Sequence, residues 1–224
     1  MSLLSRSIPI VAFALALGAQ DVRAQELAQG DDFRWYIGGQ AGMMVYRTPS
    51  QTRGAVPIAG GHMLIKAKRG ALFLAVEEAF DQDQQSAYID YTAGGGPQPV
   101  TFSDLRRYTF GLMVFPVRGH MQPFFGVGGG ILHVVNPIPT AGGSPALAQE
   151  IGTGGFATFI GGLQFRLAGL SAFGQYQLQT APSYQFLRNF DQSAVLAEGR
   201  LVSGTVHSVT GGLRISLGSS REEL

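Results

Sequence analysis

From Trp35 onward the apolar side chains fall on every second residue. Trp35, Ile37, Ala41, Met43 and Val45 alternate with Gly38, Gln40 and Gly42, and near the other end Val209, Leu213, Ile215 and Leu217 alternate with Ser208, Thr210, Gly212, Arg214 and Ser216. A period of two places the two sets on opposite faces of an extended strand. The same contrast recurs in Leu163 to Leu167 and in Gly174 to Gln179. Helix is disfavoured throughout, because glycine, 32 of the 224 residues, interrupts the apolar stretches at about 1 kcal/mol each relative to alanine. The pattern predicts about eight strands, near Phe33–Tyr46, Val56–Lys66, Ala71–Phe80, Phe102–Phe115, Gln122–Val134, Gly152–Leu167, Leu170–Thr180 and Leu201–Leu217.

The connections between them are short and long in strict turn. Ala67 to Gly70, Pro116 to Met121 and Ala168-Gly169 are tight, whereas Arg47 to Ala55, Asp81 to Thr101, Val135 to Ile151 and Ala181 to Arg200 are long. That order means antiparallel hairpins with all the tight turns at one end. Two closed architectures bury such strands. A soluble barrel would turn its apolar face inward around a ligand, and a membrane barrel turns it outward to lipid. Three features favour the second. The apolar face mixes Trp35, Tyr108, Phe159, Phe165 and Tyr176 with aliphatics, as a lipid belt does. The opposite face carries glycine and isolated long polar residues, too few for a solvated exterior. Several segments also run 11 to 16 residues, enough for a tilted crossing of about 9–11. Open edges are not tolerated in lipid, so the sheet must close. The expected fold is all-β, a closed antiparallel up-and-down transmembrane β-barrel of about eight strands.

Met1 to Ala24 reads as a secretory signal. Arg6 precedes the apolar run Ile8 to Leu17, and Val22-Arg23-Ala24 supplies the cleavage site, with Ala19 as a second choice. The run is too short for the roughly 20 residues of a spanning helix. Residues 25–217 then form the barrel domain and 218–224 a short C-terminal tail. Beyond the signal, acidic and basic residues balance, which argues against a nucleic-acid partner. With no cysteine there is no disulfide framework, thiol nucleophile or Cys-rich zinc site.

Four stretches carry a family likeness. Trp35-Tyr36-Ile37-Gly38-Gly39-Gln40-Ala41-Gly42 resembles the opening strand of small outer-membrane β-barrels of the OmpA/OmpX/OmpW and opacity-protein type, and Pro123 to Gly130 is similar to their Pro-aromatic-x-Gly-x-Gly strand. Leu170 to Gln177 and Thr210 to Leu217 resemble their last two strands, although this one ends on Leu217 where the family usually ends on an aromatic. The resemblance implies residence in the outer membrane of a Gram-negative cell envelope, insertion by the barrel-assembly machinery, and a monomer surrounded by outer-membrane lipid.

With the odd residues of the first and last strands facing lipid, the lumen receives Gln40, Lys66, Glu77, Arg107, Gln164, Arg166, Gln175, Gln177 and Arg214. Eight strands leave an interior just wide enough for side chains, so these residues are expected to form a polar network that fills the tube. Glu77 and Arg107 are the favoured pair. The opposing reading, a narrow channel for small or hydrophobic solutes, draws on the lumen-side glycines Gly38, Gly42, Gly126, Gly128, Gly130, Gly162 and Gly212, which leave volume unfilled. Leu64, Phe73, Met113, Phe115 and Phe124 fall on the same face and occlude or line that path.

Catalysis is not expected. His207 and Ser208 are neighbours in sequence, so on a strand they point to opposite faces. No His/Asp/Glu spacing suggests a metal, and no cofactor motif is present. His62 and His133 read as strand residues near a rim. The acidic, tyrosine-bearing stretch Asp81 to Tyr91 reads as a solvated loop, and Pro182 to Arg200, with Tyr184, Phe186 and Phe190, as a segment that extends the wall or folds over the mouth. Long loops of this kind suit an extracellular ligand. The first expectation is a structural or surface-interaction barrel, followed by a conduit, a lipid-modifying enzyme and a soluble ligand-binding barrel.

Overall fold

The computed structural model describes residues 33–48, 54–80, 84–90, 98–139, 153–167, 169–182 and 199–220. The proposed signal segment Met1 to Ala24 lies outside them. Twelve strands are present among these residues: β1 (Phe33–Arg47), β2 (Gly54–Ala67), β3 (Gly70–Ala79), β4 (Gln84–Asp90), β5 (Gln98–Phe102), β6 (Asp104–Val114), β7 (Met121–Val135), β8 (Ile138–Pro139), β9 (Thr153–Leu167), β10 (Leu170–Gln179), β11 (Gly199–Arg200) and β12 (Ser203–Ser220). Eight of them close in the order β1-β12-β10-β9-β7-β6-β3-β2. Every pairing is antiparallel, and closure is made by β1 on β12, with Ile37 opposite Ile215 and Met43 opposite Val209. β12 runs past Leu217 to Ser220, where it pairs with Phe33.

The alternation reads out directly as two surfaces. Outward lie Trp35, Ile37, Met43, Tyr108, Phe110, Leu112, Val127, Phe159, Phe165, Tyr176, Val209 and Leu213, while Gln40, Glu77, Arg107, Gln164, Gln175, Gln177 and Arg214 are buried within. Val127 and Leu112, register partners at mid-height, are 62% and 66% exposed. The largest apolar patch of a typical soluble monomer covers about 300–600 Å². Here the apolar surface rings the molecule, and only hydrocarbon solvates it without cost, so the soluble ligand-binding barrel is set aside. On β7 the outward apolar residues run from Met121 to Ile131, the length of one tilted crossing. Near the long connections this belt gives way to polar contacts: Arg106 Nη2 to Glu78 Oε1 at 3.0 Å, His133 to Thr153 at 2.9 Å, and Tyr176 to His207 at 2.6 Å.

The connections at that end are more ordered than the sequence suggests. β4 and β5 pair as a hairpin, from Gln84 opposite Phe102 to Tyr88 opposite Gln98. β8 adds to β5 and β11 to β4, giving a second, four-stranded sheet in the order β11-β4-β5-β8. The stretch Asp81 to Tyr91, read as a solvated loop, therefore carries the strand β4. The expected strand Phe102–Phe115 is broken at Ser103 into the end of β5 and β6. Of the segment Pro182 to Arg200, residues 183–198 lie outside the described residues, but Gly199 and Arg200 form β11.

Candidate functional site

The lumen is built in successive zones. Next to the long connections it is apolar. Met44 and Tyr46 at the end of β1, Val56 and Ile58 at the start of β2, Leu105 on β6, Leu132 and Val134 on β7, Phe156 on β9 and Val206 on β12 form one buried cluster. Val100 and Phe102 of β5 and Leu201 and Val202 before β12 complete it. The base of the small sheet is thus tied into the mouth by a hydrophobic stopper. A second cluster lies toward the tight turns, from Tyr36, Leu64, Phe73, Met113, Phe115, Phe124, Ile160 and Phe173.

Between them sits a charged strut. Glu77 on β3 and Arg107 on β6 are register partners, 1% and 0% exposed, with Nη2 to Oε2 at 2.7 Å. Arg107 Nε also donates to Glu77 Oε2 at 2.8 Å. The other end of the guanidinium crosses the lumen: Nη1 donates to Gln179 Oε1 on β10 and to Ser208 Oγ on β12, each at 2.8 Å. Gln40 Nε2 on β1 donates to Glu77 Oε1 at 2.7 Å. Five strands are braced through one ion pair. Burying such a pair costs several kcal/mol per ion unless the remaining donors and acceptors are met. Gln40, Gln179 and Ser208 meet part of that need, while Arg107 Nη2 has only its ion-pair contact with Glu77.

The other sequence-derived lumen residues divide. Arg214 Nη1 donates to Gln164 Oε1 at 2.9 Å, and its guanidinium lies 3.9 Å from the Phe173 ring centroid. Lys66 Nζ donates to Gln122 Oε1 at 2.8 Å and lies 3.9 Å from the Phe115 centroid. Gln175 and Gln177 are buried on β10, but among the described residues neither amide has a hydrogen-bond partner. Arg166 is half-buried toward the tight turns. Gln122, Gln179 and Ser208 also belong to this network, although none of them is among the lumen residues expected from sequence, where Ser208 figures only as a neighbour of His207. Gln122 and Gln179 were within reach of it, lying in the expected strands two residues from Phe124 and from Gln177.

Two expectations change. His62 is not a rim residue: it is buried in the lumen, its ring 5.0 Å from that of Phe173 and 5.8 Å from that of Phe73. The lumen-side glycines do not leave open volume. A Cβ on Gly162 would overlap the Phe124 ring and the Gly174 carbonyl, and one on Gly212 would overlap the Gly39 carbonyl and meet the Phe173 ring. Aromatic rings occupy the room that glycine vacates. His207 and Ser208 diverge: Ser208 turns in to Arg107, while His207 bonds Tyr176 and Thr205 on the outer rim.

A closed eight-stranded antiparallel barrel, apolar outside and polar within, has the fold of the small outer-membrane β-barrels. Solved structures of that class superpose on it. Neisserial surface protein A matches with a TM-score of 0.53 at 8% sequence identity, covering 81% of this chain and 96% of its own. Ail, the attachment invasion locus protein of Yersinia pestis, solved with the heparin analogue sucrose octasulfate, matches with a TM-score of 0.40 at 9% identity, covering 84% of this chain and 100% of its own. No family model and no curated protein matches the chain.

Proposed function

We propose that the chain is a non-catalytic outer-membrane barrel whose lumen is closed and whose work is done at the surface by its long connections. The observation that carries this reading is the Arg107 strut, which crosses from β6 to β10 and β12 beneath an apolar stopper. A solute entering from the long-connection end meets tightly buried hydrocarbon, then a desolvated ion pair. Folding those connections into a sheet gives a defined platform for an extracellular ligand. The chain enters the membrane as a monomer through the barrel-assembly machinery after its signal is removed at Ala24, so that the envelope form begins at Gln25.

Solute flux tests the closed lumen. Proteoliposomes carrying the folded chain should swell in small sugars no faster than empty vesicles, and swelling that scales with protein content would refute it. A narrow conduit is the second reading, favoured by the Gln175 and Gln177 amides and the Thr109 hydroxyl, buried polar groups without partners among the described residues.

A further inference from the structure

Charge is distributed unevenly along the barrel axis. The carboxylates among the described residues are Glu77, Glu78, Asp90 and Asp104, and all lie toward the long connections. The tight-turn end has none among the described residues, yet its inner wall carries Arg34, Lys66, Arg166 and Arg214, with Arg118 in the turn before β7. The register crowds them. Arg34 lies directly opposite Lys66, and Ser171 of β10 has Arg214 on one side and Arg166 on the other. All four guanidinium groups act repulsively on the Lys66 ammonium. Like charges directly opposite one another on a sheet are destabilising.

What holds these cations is amide rather than carboxylate. Gln122 and Gln164 are register partners, and each accepts one bond, from Lys66 and Arg214 respectively. An ammonium has three donors and a guanidinium five, so much of this capacity is unused among the described residues. Arg214 is fully buried, and its Nε and Nη2 have no hydrogen-bond partner among the described residues. Its stacking on Phe173 is worth about 0.5–2 kcal/mol, less than the several kcal/mol that burying a lone charge costs. A counter-anion would resolve the imbalance.

We propose that the tight-turn mouth of the lumen is a binding site for a small multivalent oxyanion, seated among Arg34, Lys66 and Arg166 with Arg214 as its floor. Short turns face the periplasm in barrels of this type, so the anion enters from that side. The strut and stopper beyond it bar onward passage. The competing occupant is the chain itself, because Asp31-Asp32 and Glu222-Glu223 adjoin Phe33 and Ser220 in sequence.

The test uses the full folded chain in uncharged detergent, with inorganic pyrophosphate as probe and sodium chloride at equal ionic strength as control. Pyrophosphate should raise the thermal unfolding midpoint saturably and beyond the chloride effect. In Arg34→Gln/Arg166→Gln, which changes two half-buried side chains, half-saturation should move up by about tenfold, the equivalent of one modest ionic contact. A rise no larger than chloride gives, or an unchanged half-saturation in the double variant, overturns the proposal. So does a pyrophosphate effect seen only after Asp31→Asn, Asp32→Asn, Glu222→Gln and Glu223→Gln are combined, since the mouth is then filled by the chain's own carboxylates.

Discussion

At the scale of single residues, the lumen is governed by what a buried charge needs. Arg107 is held by Glu77, Gln179 and Ser208, so removing the carboxylate leaves a buried cation without its counter-charge. Glu77→Ala should cost about 3–5 kcal/mol, because an uncompensated guanidinium stays in the lumen. Glu77→Ala/Arg107→Met should recover a large part of that loss. Urea unfolding of the vesicle-embedded chain, followed by its heat-dependent gel mobility, reads both. Equal destabilisation in the single and double variants would show that the ion pair does not brace the wall. That Glu77 and Arg107 both turn inward on neighbouring strands was legible from the alternation. The register that sets them opposite each other was not, because β3 reaches β6 through a long connection and not a tight turn. Nor were Gln179 and Ser208, because their contact with Arg107 depends on how far apart the walls stand after closure.

At the scale of the strand, each position belongs to lipid or to lumen, and the two obey opposite rules. Val127 sits at mid-height on the lipid face between Leu112 and Phe159, so Val127→Arg should destabilise by about 2–4 kcal/mol, the cost of a cation near the bilayer midplane. On the inner face the constraint is volume. Gly162→Val would drive a branched side chain into the Phe124 ring and the Gly174 carbonyl, for a loss of about 1–3 kcal/mol from overpacking. Folding yield against urea measures both, and a neutral Gly162→Val would mean that the aromatic fill is loose. All eight wall strands were readable because their alternation is long. β4, β5, β8 and β11 were not, for they are short, and β4 and β5 flank the glycine run Gly94-Gly95-Gly96-Pro97. The stopper was obscured for a related reason. At Met43-Met44-Val45-Tyr46 both faces are apolar, so a period of two no longer tells inside from outside.

At the scale of the whole molecule, outside and inside have exchanged their usual chemistry, and closure makes that exchange tolerable. Eight strands bury every barrel edge, the exterior takes its stability from lipid, and the interior is packed with rings, amides and the Glu77–Arg107 ion pair. Fluorescence quenching of Trp35, the chain's one tryptophan, tests the inverted arrangement most directly. It stands outward on β1 near the tight-turn rim, 40% exposed. In vesicles made with brominated acyl chains its emission should be strongly quenched, while aqueous iodide should have little effect. Strong iodide quenching with no response to the brominated chains would put the apolar face away from lipid and contradict the structure's central claim.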